Sequence, residues 1–207
     1  MIDPKGHWRI VEAKGNHPAS ISFKKDGEAW SVRCKRYGGL PDLLGVGFIH
    51  GDFLCIARGL VQQDADLGQK VGLVRYDLNM PGKLPAKWYH CSLKGKISDG
   101  LSSNGPTSTI IGEYQADYAN SDGMAFNPLR KTITQHKHCL QFSWWDDEKF
   151  YYLGVGCIIA GNLYAAWGPP GAIIQFVYYN LNSSRSALHG QWYDFGRNLS
   201  GTEILAR

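Results

Sequence analysis

The amino-acid sequence predicts an all-β protein built from two tandem antiparallel up-and-down β-barrels of about eight short strands each. Hydrophobic residues alternate with a period near two and seldom near 3.6. The alternating runs are rich in β-branched and aromatic residues, and Gly, Asp, Asn and Pro separate them. The chain has 207 residues, of which 43% are hydrophobic and 19% charged. This composition supplies enough apolar material for one domain or two small ones.

The second half of the sequence repeats the first. Gly45-Val46-Gly47 recurs as Gly154-Val155-Gly156, and Leu84, four residues before Trp88-Tyr89, recurs as Leu188 before Trp192-Tyr193. Anchors in the same order at nearly constant spacing indicate a duplication. Residues 100–108 (GLSSNGPTS) are small, polar and typical of a linker. We therefore predict one barrel repeat over residues 1–104 and a second over residues 105–207.

Each repeat contains eight predicted strands at matching places. In the first repeat they cover residues 6–13, 20–25, 29–37, 43–50, 53–58, 70–78, 86–93 and 96–101. In the second they cover residues 112–119, 126–134, 136–145, 150–159, 162–167, 173–181, 188–195 and 201–206. Eight strands are enough to close a small barrel, and closure removes the unpaired edges of an antiparallel sheet. The alternative is one larger barrel made from both halves around a pseudo-twofold axis. The Gly-Val-Gly segments are interpreted as places where a strand bends and approaches its neighbour closely.

Two further patterns resemble known families. The opening strands Gly6-His7-Trp8 and Gly112-Glu113-Tyr114 resemble those of calycin barrels, the lipocalin and avidin type. Residues 188–192 (LHGQW) and 201–205 (GTEIL) are similar to small bacterial all-β proteins that are loosely labelled fibronectin-binding or lipocalin-like. The first repeat departs from this pattern, with Gly95-Lys96-Ile97-Ser98 in place of the closing motif. The resemblance implies a barrel that holds a ligand, and it does not imply biotin.

Charge and cysteine content exclude several function classes. The net charge of +4 and the absence of a nucleic-acid fingerprint argue against DNA or RNA as a partner. No apolar run is long enough for a transmembrane helix, and we expect no membrane partner. The five cysteines form no CxxC pair, and the N-terminus has no signal-peptide pattern, so a reducing cytoplasmic location is expected. No cofactor is expected, and a homodimer is left open.

The preferred function is non-catalytic binding of a small, largely apolar or aromatic molecule in a barrel cavity. Aromatic residues make up 13% of the chain, and Trp and Tyr side chains give flat apolar walls with hydrogen-bonding tips. Filling of the core is the competing explanation for these rings. The candidate ligand-binding residues are Trp144, Tyr152, Trp167, Tyr179, Trp192, Tyr76, Trp88 and Arg75.

Two alternative functions remain open at this stage. The first is a cofactor-independent cyclase or isomerase of a secondary metabolite, which works by holding a reactive conformer. Its candidate catalytic residues are Asp117, Glu203, Tyr178 and His138. The second is a sugar- or protein-binding module that uses exposed aromatic residues. Adjacent rings such as Trp144 and Trp145 must face opposite sides of a strand, so one of each pair lies outside the barrel.

Two polar patterns have competing interpretations. His136 and His138 would share a strand face and could ligate one metal ion, although surface histidines are the preferred interpretation. On strand 112–119, either Glu113 and Asp117 point inward as paired carboxylates, or Tyr114 and Tyr118 do. The preference for apolar residues inside favours the tyrosines.

Overall fold

The computed structural model describes residues 1–14, 17–60, 71–90, 93, 95–182, 186–197 and 199–207. These residues form sixteen antiparallel strands and a short 3-10 turn at Tyr37–Gly39. The strands are β1 (Gly6–Ala13), β2 (Ser20–Asp26), β3 (Ala29–Lys35), β4 (Leu43–His50), β5 (Phe53–Leu60), β6 (Gly72–Asp77), β7 (Leu84–His90), β8 (Ser98–Ser103), β9 (Gly112–Ala119), β10 (Leu129–His136), β11 (Cys139–Asp146), β12 (Lys149–Ile159), β13 (Asn162–Gly168), β14 (Ile173–Asn180), β15 (Ala187–Asp194) and β16 (Ser200–Ala206).

Two closed eight-stranded barrels are present, which confirms the predicted fold class. Strands β6 to β13 form an up-and-down meander that closes when β13 pairs with β6, and we call it the central barrel. Strands β1 to β5 and β14 to β16 form a second closed barrel, the terminal barrel, in which β5 pairs with β14 and β16 with β1. The single large barrel is not formed.

The strands are shared between the barrels differently from the predicted halves, residues 1–104 and 105–207. The first half gives β1 to β5 to the terminal barrel and β6 to β8 to the central one. The second half gives β9 to β13 to the central barrel and β14 to β16 to the terminal one. The segment predicted as a linker, residues 100–108, includes the end of β8 and joins two paired strands of the central barrel. The chain therefore changes barrel between β5 and β6 and again between β13 and β14.

The predicted strands correspond one to one to the observed strands, with ends that differ by a few residues. The predicted strand 136–145 starts only at Cys139, because Lys137 and His138 form the turn of the β10–β11 hairpin and Lys137 has a φ of 49°. Residue 70 of strand 70–78, residues 91 and 92 of strand 86–93, and thus Cys91, lie outside the described residues. Within the described part of the chain, no helix is long and apolar enough for a membrane crossing.

Apolar residues form three clusters, one inside each barrel and one between them. The cluster between the barrels joins β4, β5 and β14 to β6, β12 and β13, and it includes Val46, Phe48, Cys55, Ala57, Leu73, Val155, Tyr164, Ala166 and Phe176. Val46 and Val155 are the central residues of the two Gly-Val-Gly segments. A Cβ at Gly45 or Gly156 would overlap a backbone oxygen of the next strand, which confirms the predicted close approach. Strand β5 is consequently buried on both faces.

Candidate functional site

The central barrel contains a cavity of about 1010 Å³. Seven aromatic side chains form a large part of its wall, and its lining also includes the exposed residues Lys96, Asp122 and Asp146. The loop between β9 and β10 covers one side and contributes Ala125, Phe126 and Asn127. The aromatic lining consists of Trp88, Tyr118, Phe126, Trp144, Tyr151, Tyr152 and Trp167. A space of this size with this lining is suited to a drug-sized organic molecule.

The indole rings hold defined orientations. The Nε1–H of Trp144 donates to the hydroxyl of Tyr118 at 2.9 Å, and that of Trp88 donates to the carbonyl oxygen of Asp99 at 2.8 Å. Trp167 packs edge-on against Tyr152 with ring centroids 4.7 Å apart, and His90 stacks on Trp167 with a centroid distance of 5.4 Å. Rings fixed in this way form a wall that needs little ordering when a ligand binds.

Two glycines make room for this wall. Gly72 lies opposite Trp167 in the β6–β13 pair, and Gly100 lies opposite Tyr118 in the β8–β9 pair. A Cβ at Gly72 would overlap the Trp167 indole, and a Cβ at Gly100 would overlap the Tyr118 ring. The positions of Trp167 and Tyr118 in the cavity wall therefore require glycine at residues 72 and 100.

The terminal barrel fills the equivalent space with polar side chains. In the duplicated sequence, Arg58 takes the place of Trp167, and its strand partner Gln175 takes the place of Gly72. Glu203, opposite Gly190, takes the place of Gly100, opposite Ala86. A small space of about 20 Å³ lies near Gln175 and Asp194.

These polar residues form one buried network. Arg58 Nη1 and Nη2 donate to the two carboxylate oxygens of Glu203 at 2.9 and 3.1 Å, and Arg58 Nε donates to Gln175 Oε1 at 2.9 Å. Tyr179 donates its hydroxyl to Glu203, and Gln175 donates to Asp194 at 2.9 Å. Both side chains of the ion pair are fully buried. The terminal barrel is thus a filled copy, and the central barrel is the copy with a cavity.

A lysine is buried inside the central barrel, against the rings of Tyr76 and Tyr114. Lys131 is 0% exposed, and its Nζ donates to Ser102 Oγ at 2.6 Å. The Nζ atom of Lys131 lies over the rings of Tyr76 and Tyr114, 4.0 and 4.8 Å from their centroids. Burial lowers the pKa of Lys131 well below its usual value of 10.5. The corresponding residue of the terminal barrel is Ile21, since Ile21 pairs with Trp8 as Lys131 pairs with Tyr114.

We predict that Lys131→Met stabilises the protein at pH 7 by about 1 to 3 kcal/mol, since methionine removes a buried ionisable group. The folded state has the lower pKa, so between that pKa and 10.5 the unfolded chain binds the extra proton. The stability of the wild type therefore rises with pH across this window, and the advantage of the variant shrinks towards pH 10. Tyrosine ionisation is common to both proteins and cancels in the difference.

Urea denaturation of both proteins at pH 7 and pH 10 measures this effect. The exposed Lys149 on β12 provides the control, and Lys149→Met should leave the stability within about 0.5 kcal/mol of the wild type at both pH values. A gain from Lys131→Met that stays constant between pH 7 and pH 10 contradicts the prediction.

The structure brings together four of the eight predicted ligand-binding residues. Trp88, Trp144, Tyr152 and Trp167 line the cavity. Tyr76 is in the core of the central barrel and contacts the lining residue Tyr118, with the two hydroxyl oxygens 2.9 Å apart. The others lie elsewhere: Tyr179 and Trp192 are in the core of the terminal barrel, and Arg75 is on the outer face of β6. Trp145 packs outside the barrel against Phe150, as expected for the neighbour of an inward-facing Trp144.

The four candidate catalytic residues lie apart from one another. Glu203 is committed to Arg58 inside the terminal barrel. Tyr178 lies on the outer face of β14 and donates to Gln191 at 2.6 Å. Asp117 is on the outer face of β9, beside Gln115, and His138 is exposed in a hairpin turn. These four residues therefore form no common acid/base site.

The structure shows how the alternating residues of β9 and the two histidines near the end of β10 are oriented. Tyr114 is 3% exposed inside the central barrel and Tyr118 lines the cavity, which confirms the inward orientation of the tyrosines over Glu113 and Asp117. The expectation that His136 and His138 share a strand face is wrong, because β10 ends at His136 and the hairpin turn follows. The described residues contain no group of three or more His, Cys, Asp or Glu side chains suited to a metal ion.

Sequence reasoning missed several residues of the site. Alternation along strand 126–134 assigns residue 131 to the core. A lysine at a core position is unusual, and this alone could have marked Lys131 as a candidate functional residue. Alternation predicts the inner face for Tyr118, but only the structure shows that it lines the cavity. The contributions of His90, Phe126 and Asn127 come from chain packing, and no local pattern predicts them.

The comparisons with known proteins add no relative. No protein-family model matches this chain, and no curated protein or solved structure matches it. The closed eight-stranded antiparallel barrels are consistent with calycin-like architecture at the level of strand number and closure.

Proposed function

We propose that this chain binds a small, flat, largely apolar aromatic molecule in the cavity of the central barrel, without changing it chemically. The observation that supports this proposal most strongly is the contrast between the two barrels. Where the terminal barrel has the buried Arg58, Gln175 and Glu203, the central barrel has a tryptophan and two glycines. Replacement of a filled polar core by an aromatic-walled space is costly for packing, and a ligand that occupies the space offsets this cost.

The dimensions of the space support a ligand of three or four fused or linked rings. Such a molecule fits within about 1010 Å³, and the indoles of Trp88, Trp144 and Trp167 offer flat faces on different strands. Stacking and edge-on contacts each add about 0.5 to 1.5 kcal/mol beyond burial of area. A lipocalin-like role as a carrier or store of such a compound agrees with this geometry.

The adjacent residues Trp144 and Trp145 provide a matched test. We expect Trp144→Leu to weaken the binding of 7-methoxyflavone by about 10- to 100-fold, because truncation of an indole in a binding wall costs about 1.4 to 2.8 kcal/mol. Trp145→Leu removes an indole of the same size from the outer face of the same strand and should leave affinity unchanged. Isothermal titration calorimetry with the three proteins measures the difference.

A second variant separates binding from folding. Ala125 is exposed and lies at the cavity, so Ala125→Trp should obstruct the space without disturbing the core. The wild type should melt at a higher temperature with 7-methoxyflavone than without it, and Ala125→Trp should lose this shift. Equal affinity of Trp144→Leu and Trp145→Leu, or an undiminished thermal shift in Ala125→Trp, contradicts binding in the cavity.

A further inference from the structure

Lys131 has no negative partner in the part of the chain that the structure describes. Its Nζ contacts the Ser102 hydroxyl and the faces of two tyrosine rings, and no carboxylate forms an ion pair with it. The same position in the terminal barrel is the apolar Ile21, so the barrel does not need a lysine there to fold. A buried amine without a counter-charge is costly, and this cost suggests a role outside packing.

A line of hydroxyl groups connects this amine to the cavity. Ser102 contacts Lys131 Nζ at 2.6 Å and also forms a side-chain hydrogen bond with Tyr118, which is part of the cavity wall. Burial raises the pKa of Tyr118, while hydrogen bonds with Tyr76, Trp144 and Ser102 oppose that rise. These groups can pass a proton from one to the next, because each hydroxyl both donates and accepts.

We propose that the cavity selects flat aromatic compounds that carry an acidic hydroxyl group, whose proton is taken up by Lys131 through Tyr118 and Ser102. This inference rests on the proposed function, since it specifies the ligand class of the same cavity. Lys131 and Ser102 do not contact the ligand and are positioning residues, and Tyr118 is the group that meets the ligand oxygen.

The proton transfer is balanced. On binding, the ligand oxygen takes the place of the Tyr76 hydroxyl beside Tyr118, whose oxygen otherwise contacts Tyr76, Trp144 and Ser102. The O–H bond of the ligand breaks, and Tyr118 takes this proton while giving its own to Ser102, which gives its own to the neutral Nζ. The ligand oxygen keeps the electron pair and becomes an anion, and Nζ becomes an ammonium group. Net charge and the number of protons are unchanged, and the step needs no oxidant or reductant. The anion then accepts a charge-assisted hydrogen bond from Tyr118, and the ligand supplies the negative charge that the barrel lacks.

Two flavones that differ only in one methyl group test the selection. We expect the wild type to bind 7-hydroxyflavone more tightly than 7-methoxyflavone, by a factor of about ten or more. One charge-assisted hydrogen bond contributes enough free energy for this difference. At pH 6, the bound 7-hydroxyflavone should show the absorption band of its anion, with the free probe at the same pH as the reference. Lys131→Met should bind both probes with similar affinity and should lose the anion band.

Ser102→Ala interrupts the line of hydroxyl groups and should also lose the anion band, while Lys149→Met on the outer surface should behave as the wild type. Equal binding of the two probes by the wild type, or an anion band that persists in Lys131→Met, overturns the inference and leaves the proposed function standing. Failure of both probes to bind the wild type overturns the proposed function and the inference together.

Discussion

Separation of the chain between Asn104 and Gly105 will leave neither half able to fold as a monomer, and the two halves together will form the native structure. Each half holds five strands of one barrel and three of the other, so each would have to leave strand edges open. Open edges of antiparallel sheets are unstable and prone to aggregation. The cut lies in an exposed turn between β8 and β9, and it breaks no strand pairing.

Coexpression of residues 1–104 and 105–207 measures this directly. We expect a one-to-one complex of native size with a single cooperative melting transition, and unfolded or aggregated material from either half alone. As a control, a cut in the exposed β10–β11 turn after Lys137 also leaves complementary fragments that must assemble. A half that folds alone as a monomer with native-like circular dichroism is incompatible with the observed exchange of strands.

Arg58→Met will destabilise the protein by about 3 to 5 kcal/mol, because it leaves the Glu203 carboxylate buried without its cation. The loss is large since both partners are fully buried, and the bidentate contact satisfies both carboxylate oxygens. Gln175 would also lose the donor to its side-chain oxygen. Urea denaturation should show a lower midpoint with little change in the slope.

The double variant Arg58→Met, Glu203→Leu removes both charges and should recover most of the loss, since hydrophobic replacement of a buried pair is often close to neutral. The exposed pair Lys87–Asp99, with an Nζ–Oδ1 distance of 2.6 Å, is the matched surface control. Lys87→Met should change stability by less than about 1 kcal/mol. A loss from Arg58→Met no larger than that from Lys87→Met contradicts the assigned role of the network.

Local pattern was enough to predict the strands and the duplication. Alternation places Trp8, Ile21 and Tyr114 on inner faces, and a period of two depends only on neighbouring residues. The inner position of Trp144 followed in the same way. The cavity did not follow, because it depends on Gly72 and Gly100, which lie on strands far apart in sequence from the rings that they accommodate.

Sixteen strands, two related halves and eight strands per barrel are predictable from local sequence pattern. The choice of strands that close each barrel depends on contacts between distant parts of the chain. Strands β6 and β14 are equivalent in the duplication, so β5 could pair with either according to hydrophobic pattern alone. Closure within each half would place Arg58 beside Gly72 and Gly100, with its charge buried and unpaired. Exchange of the strands instead gives Arg58 its partners Gln175 and Glu203, and gives Lys131 the hydroxyl of Ser102. These buried polar contacts join residues of opposite halves, and no local pattern encodes them.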